Sequence, residues 1–483
     1  MSRPSFVRSF VVAAPAALAA ILIAAPARPA AAQTPAPASS PAPAAPETAP
    51  ADPQAAPQTP EERIEALDQQ LRILARQLEI EKEAATAAQA TAPVPGAGSG
   101  GFELRSADSA FRLRIRGYLH ADSRYYGGDD DNRGIDTFLL RRARPIVEAT
   151  FFKIFDFRIM TDFGGGTAVV QDAYLDARFA KVFNLRAGKQ KPPLGQERLL
   201  SATDILFIER ALPTALVPNR DVGIQVYGDP APWLTYQVGV FNGVIDGGSG
   251  DADTADSKDV LGRLLFSPFK TGGHERLQSL MIGIGGSGGK EVGTVAAPAL
   301  AQLRSGGQLV WFRYRTDGTV PNTTVADGSR TRFTTHGQYY LGQLGLQAEY
   351  VVSRQEVRRA TTADEIEQQS WQLTGSWVLT GETATGRAIA PRKPFAPGKG
   401  WGAFEIVARA NALTVDDAAF PVFANPDAAA RQASAAGVGL NWYLNRNVKI
   451  AADYELTRFD GGALAGADRP DEHALFTRFQ VAF

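Results

Sequence analysis

FRLRIRGYLHAD, residues 111–122, alternates apolar and polar side chains. Phe111, Leu113, Ile115, Leu119 and Ala121 share one face of an extended strand, while Arg112, Arg114, Arg116, Tyr118, His120 and Asp122 share the other. Three guanidinium groups in a row cannot point into a dry core without a heavy desolvation cost. One face of this strand therefore meets water and the other meets an apolar phase.

The same period of two recurs along the chain. In 155–163, Phe155, Phe157, Ile159, Thr161 and Phe163 oppose Asp156, Arg158, Met160 and Asp162. In 171–179, Ala173, Leu175, Ala177 and Phe179 oppose Asp172, Tyr174, Asp176 and Arg178. The pattern returns in 233–241, 371–379, 403–412, 437–443 and 448–456, and Gly, Asp, Asn and Pro clusters at 127–134, 246–259 and 459–472 separate the runs. Apolar-out, polar-in segments of about ten residues are the signature of a transmembrane β-barrel. No stretch beyond the N-terminus is apolar for the roughly 18 residues of a membrane helix, so a barrel is the spanning fold that remains.

The C-terminus supports closure. Leu475, Thr477, Phe479, Val481 and Phe483 alternate to the last residue, an aromatic suited to an interface girdle. Long and short connections also alternate, as external loops and periplasmic turns would. About seventeen runs read as strands, and a single-chain bacterial barrel has an even number. The run 308–315 (QLVWFRYR) lies in a long irregular region and is assigned to a loop. The expected fold is thus an all-β transmembrane barrel of about 16 antiparallel strands, large enough to hold water.

Residues 102–220 carry 19 Lys and Arg against 15 Asp and Glu, while the whole chain is −1. The first half of the barrel is its basic half. By parity, Arg112, Arg114, Arg116, Arg142, Arg144, Arg158, Arg178 and Arg186 face the lumen. Arg141 has the opposite parity from Arg142 and Arg144, so at least one of the three sits near a rim or a bulge. Arginines that keep their charge and several donors suit a stepwise path for anions. The structural alternative is that they pair with Asp156, Asp162, Asp172 and Asp176 and simply solvate the inner wall.

Residues 189–221, KQKPPLGQERLLSATDILFIERALPTALVPNRD, do not alternate. Prolines 192, 193, 213 and 218 exclude a continuous ladder strand. The stretch is also far longer than the 2–5 residues or so of a hairpin loop. Its apolar anchors, Leu199, Leu200, Ile205, Leu206, Phe207 and Ile208, predict a loop packed against the inside of the barrel.

The N-terminal part is organised differently. Residues 1–32 read as a secretory signal, with Arg3 and Arg8, the apolar run 11–25 and small residues at 30–32. Residues 33–58 are an Ala/Pro-rich linker. Within 59–90, Thr59, Pro60 and Glu62 mark a helix start, and Ile64, Leu67, Leu71, Leu74 and Leu78 follow at heptad spacing. This segment predicts a short coiled-coil helix joining protomers, or else an amphipathic helix docked on its own domain. Residues 91–101 read as a second flexible link, and 102–483 as the barrel domain.

Composition narrows the function. A net charge of −1 gives no support to nucleic-acid binding, and the absence of cysteine removes disulfides and thiolate metal sites. His120, His274, His336 and His473 are isolated from one another in sequence. Neither a cofactor nor a metal site is expected. A barrel enzyme would need a nucleophile, a base and an orienting group together. His120, Asp122 and Ser123 are the one close set, and neighbours on a strand face opposite ways.

Several stretches in this order resemble the phosphate-selective porin O and P family. They are RLRIRGYLHAD (112–122), DTFLLRRARPIVEATFFKIFDFRI (136–159), DFGGGTAVVQDAYLDARF (162–179), RAGKQKPPLGQERLLSATDILFIERALPTALVPNRDVG (186–223) and NWYLNRNVKIAADY (441–454). The resemblance implies a trimeric channel of the bacterial outer membrane, with 16 strands, an inward third loop and an N-terminal segment in the periplasm. It places the family's paired ladder arginines on Arg141 and Arg142, a constriction carboxylate on Asp172 and a constriction lysine on Arg198. A second loop lysine is replaced by Thr203. The expected function is passive uptake of small anions, with phosphate or polyphosphate as candidates. The alternative is a general porin for small polar solutes.

Overall fold

The computed structural model describes residues 59–128, 134–253 and 256–483. The expected signal and the Ala/Pro linker fall outside these residues. Sixteen antiparallel strands form the barrel: β1 (Phe111–Gly127), β2 (Thr137–Phe151), β3 (Phe155–Asp162), β4 (Val169–Ala180), β5 (Phe183–Gln190), β6 (Asp221–Ala231), β7 (Leu234–Phe241) and β8 (Asp259–Phe266), then β9 (Met281–Val292), β10 (Thr324–Leu341), β11 (Leu344–Arg359), β12 (Thr362–Val378), β13 (Ala403–Val415), β14 (Ala430–Tyr443), β15 (Val448–Gly461) and β16 (Glu472–Ala482). Consecutive strands pair, and β16 pairs with β1 from His473↔Gly127 to Ala482↔Tyr118. Phe483 completes the seam by exchanging two backbone hydrogen bonds with Gly117, both of 2.9 Å. Closure leaves the main ring without a free edge, which is what lipid requires of a sheet.

Burial is inverted, as a water-filled barrel demands. On β12, Trp371, Leu373 and Trp377 are 46%, 47% and 51% exposed, whereas Gln368, Ser370, Gln372, Thr374 and Ser376 are buried. Apolar residues face outward on the other strands too, including Ile224, Val240, Ile284, Leu346, Ile406, Leu440 and Phe479. This belt meets the hydrocarbon phase. No helix among the described residues is long and apolar enough to cross a membrane.

The run 308–315 is not a barrel strand. Val310–Phe312 pairs with Leu303–Arg304 as a separate two-stranded sheet inside the long connection 293–323. Trp311 and Phe312 are fully buried there and pack with Leu194, Leu216, Val217 and Phe423. The loop end therefore has an apolar core of its own within the barrel.

Alternation of long and short connections holds only in part. Connection 360–361 is tight although it lies at the loop end, and 379–402 is long although it lies at the turn end. The second folds inward, with Ala384 and Ile389 buried against Val378, Ala403 and Tyr443. A connection that packs its own apolar residues inside the barrel escapes the usual pressure towards a short turn.

Residues 91–101, expected to be a flexible link, contain the first strand of a hairpin, Val94–Gly98 with Gly101–Arg105. The hairpin's second strand pairs with β1 from Phe102↔Ile115 to Arg105↔Arg112. It covers the part of β1 that extends past the end of β16, an edge that would otherwise be open.

The helix, α1 (Pro60–Thr91), starts as its punctuation predicts. Thr59 N donates to Glu62 Oε2 at 3.0 Å, and Glu62 N donates to Thr59 Oγ1 at 3.4 Å. Ile64, Leu67, Leu71, Leu74 and Leu78 are all exposed on it.

Candidate functional site

The inward loop, 191–220, is the organiser of the lumen. Ile205, Leu206, Phe207 and Ile208 are buried, as are Leu212, Leu216 and Val217 around a short 3-10 turn at Leu212–Leu216. Apolar burial holds the loop down, but its backbone polar groups also need partners inside the barrel. The wall supplies them. Glu349 accepts from Gln196 N at 2.7 Å and from Glu197 N at 3.3 Å. Asp453 accepts from Ile208 N, and Asn411 from Leu212 N at 3.0 Å. Asn441 donates to Leu206 O at 2.9 Å, Lys449 to Ile205 O at 3.3 Å, and Gln480 to Thr203 O at 3.3 Å. All these wall residues lie on β11 and β13–β16. Two buried carboxylates of the second half are thus spent on the loop.

The opposite side of the loop is left open towards the basic half. A chamber of about 640 Å³ lies there, reaching from the loop to Ala482 and Phe483 at the turn end. Nine basic residues line it (Arg116, Arg144, Arg158, Arg186, Lys191, Arg210, Arg220, Arg263 and Arg387) against two acidic ones, Asp172 and Asp204.

Ion pairs divide the nine. Arg116 and Arg158 meet Glu148 Oε1 at 2.8 and 2.7 Å. Arg144 pairs with Asp162 at 2.7 Å and Arg186 with Asp176 at 2.5 Å. Asp172 takes Arg158 on one oxygen at 3.3 Å and Arg220 on the other at 3.2 Å. The paired arginines thus form the carboxylate ladder expected as the structural alternative. Lys191, Arg210, Arg263 and Arg387 have no carboxylate at ion-pair distance among the described residues. Lys191 Nζ and Arg210 Nη2 instead both donate to Leu200 O, at 2.7 and 2.9 Å. Burial, and then the charges of Arg210 and Arg220, push the Lys191 ammonium well below the usual lysine range. Burial likewise lowers Arg210. The loop site is short of negative charge.

The predicted residues divide by position. Arg116, Arg144, Arg158, Asp172 and Arg186 meet around the chamber. Arg112 and Arg114 lie on the overhang of β1, the first bonded to Thr150 Oγ1 at 3.3 Å and the second to Gly100 O at 3.0 Å. Arg141 is the extra residue of a bulge, because His120 pairs with Arg142 while Ala121 pairs with Leu140. A bulge returns successive residues to one face. Arg141 therefore reaches Glu209 of the loop at 2.8 Å, and Arg142 lies buried on His120 Nδ1 at 3.3 Å. Glu209 also takes Arg124 at 2.8 Å, and these arginines hold its carboxyl well below the usual range. Arg198 is half-buried within the loop and donates to Thr214 O, whereas Thr203 does line the chamber. Arg178 pairs with Asp156 at 2.6 Å.

Lys191, Arg210 and Arg220 stand in the quoted loop sequence, yet only the fold shows that they and not Arg198 line the chamber. Arg263 and Arg387 lie outside the basic segment and carry no motif.

His120, Asp122 and Ser123 do not converge. Asp122 pairs with Arg478 at 2.7 Å, and Ser123 bonds Thr477 at 2.5 Å. Among the described residues no cluster of His, Cys, Asp and Glu could hold a metal ion.

The family described as "Phosphate-selective porin O and P" matches residues 112–483. Porin O of Pseudomonas aeruginosa is 24% identical over 426 residues, covering 80% of this chain and 91% of that protein. The outer membrane channel DcaP of Acinetobacter baumannii has a similar structure, with a TM-score of 0.51 at 10% identity, covering 80% of this chain and all of that one. The chain belongs to the phosphate-selective porin O and P family and is an outer-membrane β-barrel porin.

Proposed function

We propose that this porin passes small anions, and that the loop-borne pair Lys191 and Arg210 is their principal binding step. The observation that carries this reading is the chamber's charge: nine basic residues line it against two acidic ones, and Lys191 and Arg210 of the loop have no carboxylate at ion-pair distance among the described residues. An anion entering it supplies the missing charge. Arg116, Arg144, Arg158 and Arg186, already paired, offer weaker contacts along the wall. Several weak sites in series let an ion leave as well as enter. The channel exchanges charge and hydration only, so the cycle needs no cofactor.

Phosphate is one candidate solute, since a guanidinium fork and an ammonium both suit an oxyanion. The name of the Pseudomonas relative's family points the same way. Thr203 on the chamber wall, where the resemblance expects a lysine, favours a broader anion porin as the second reading. Homotrimer assembly through the exposed heptad seam of α1, and a periplasmic place for that helix, belong to the same proposal. Chloride conductance of the reconstituted protein, titrated with phosphate, tests the solute. Block at millimolar phosphate supports the phosphate site, and indifference to phosphate supports the broader porin.

A further inference from the structure

We infer that the turn-end connection 379–402 is a second selectivity element, with Arg387 as its specificity-determining residue. This rests on the anion-channel reading and adds to it an element that reaches the same chamber from the turn end and meets the inward loop. The flanking turn-end connections 342–343 and 444–447 are short, as are 181–182 and 232–233, and 267–280 is the other long one at this end. Connection 379–402 far exceeds the 2–5 residues or so that a hairpin needs.

Its inner part is fixed. Ala384 and Ile389 are 1% and 4% exposed, and Ala384 N donates to Gly342 O at 2.8 Å. Gly386 lies between them with φ +63°, and a Cβ there would stand 1.9 Å from the Tyr340 hydroxyl oxygen. Only glycine fits that turn. It delivers Arg387 to the chamber from a segment anchored on both sides. The next residue, Ala388, donates its N–H to Asp204 Oδ1 of the inward loop at 3.3 Å. Two elements entering from opposite ends of the barrel thus meet at Asp204.

The charge of this segment is one-sided. It carries Arg387, Arg392, Lys393 and Lys399 against a single acid, Glu382. Glu382 is engaged by Thr380 Oγ1 and by Arg392 N. Arg387 is exposed and has no carboxylate at ion-pair distance among the described residues. An oxyanion or halide crossing the turn end of the chamber passes an uncompensated guanidinium, which raises its local concentration there and repels cations.

The chain has no cysteine, so Arg387→Cys creates a unique thiol. Reversal potentials are read in planar bilayers under a KCl gradient at low ionic strength. Loss of the charge should lower the anion-to-cation permeability ratio by about two- to fivefold, the size expected of one solvated charge at close range. Labelling with a cationic trimethylammonium-ethyl methanethiosulfonate should restore the ratio, and the anionic sulfonatoethyl reagent should lower it further. An unchanged ratio in all three states, with labelling verified by mass spectrometry, overturns the inference. Should the cysteine variant fail to assemble, Arg387→Gln against the charge-preserving Arg387→Lys gives the same comparison. Arg210→Ala, run in parallel, separates the two claims. A wild-type channel that prefers cations defeats the anion reading itself. A wild-type channel that prefers anions, weakened by Arg210→Ala but indifferent to the charge at 387, defeats only the present inference.

Discussion

Arg220 Nε lies 3.2 Å from Asp172 Oδ1, so an arginine at the end of the inward loop neutralises the carboxylate of the chamber wall. The other oxygen of Asp172 takes Arg158 at 3.3 Å. Asp172 therefore moderates the basic field by occupying two cations at once. Asp172→Asn should release both, raise anion selectivity and slow anion exit. In bilayers this reads as tighter block by multivalent anions, with lower conductance at saturating chloride. Unchanged block would show that Asp172 only pins the wall.

Lys191 and Arg210 share the Leu200 carbonyl and have no carboxylate at ion-pair distance among the described residues. Lys191→Gln and Arg210→Ala should each lower the anion-to-cation permeability ratio, by about 2- to 10-fold for a charge near the narrow part of a wet lumen. The paired Arg186 provides the contrast. Arg186→Gln leaves Asp176 uncompensated and should also lower selectivity, but Arg186→Gln combined with Asp176→Asn should restore it. Neutralising a pair removes no net charge.

The Lys191 charge also sets a pH dependence. Its ammonium is held below the usual lysine range by burial and by Arg210 and Arg220. The charged form is present at low pH and is lost as pH rises, earlier than the roughly 10.4 of a free lysine. Anion selectivity should therefore fall as pH rises, at a pH below the range of a free lysine, and Lys191→Arg should flatten that fall. An anion in the site favours the protonated form, so added phosphate should shift the transition to higher pH.

Glu349 holds the loop through Gln196 N and Glu197 N, at 2.7 and 3.3 Å. Glu349→Ala leaves two backbone donors without partners, at a cost of about 1–3 kcal/mol each. The loop should loosen, giving noisier open-channel current and faster tryptic cleavage after Arg198 and Arg210. Asp453→Ala, which removes the acceptor of Ile208 N, should act in the same direction.

Much of this architecture was legible in the residues. Alternation in 111–122, together with the aromatic C-terminus, fixes a barrel, because lipid outside and water inside demand opposite chemistry on successive side chains. The apolar anchors of 189–221 announced an inward loop, since a merely solvated loop has no use for Ile205 to Ile208. The parity break at Arg141 announced its bulge. Pairing of the arginines with Asp156, Asp162, Asp172 and Asp176 was legible as an alternative, but which arginine meets which carboxylate was not, because it depends on neighbours across strands. Glu148 serves Arg116 on β1 and Arg158 on β3, and no local pattern links the three. Nor was the placement of Arg198 readable, for its guanidinium turns to a carbonyl of its own loop. The inward fold of 379–402 was not legible in the residues. Its anchors, Ala384 and Ile389, are few and small.

Binding of the loop to β11 and β13–β16 leaves a basic chamber on its other side, through which anions are proposed to pass. The most direct measurement is the reversal potential of the wild-type protein in a planar bilayer under a KCl gradient. A potential of the sign set by chloride is expected, reduced in Arg210→Ala. A potential of the sign set by potassium would contradict it.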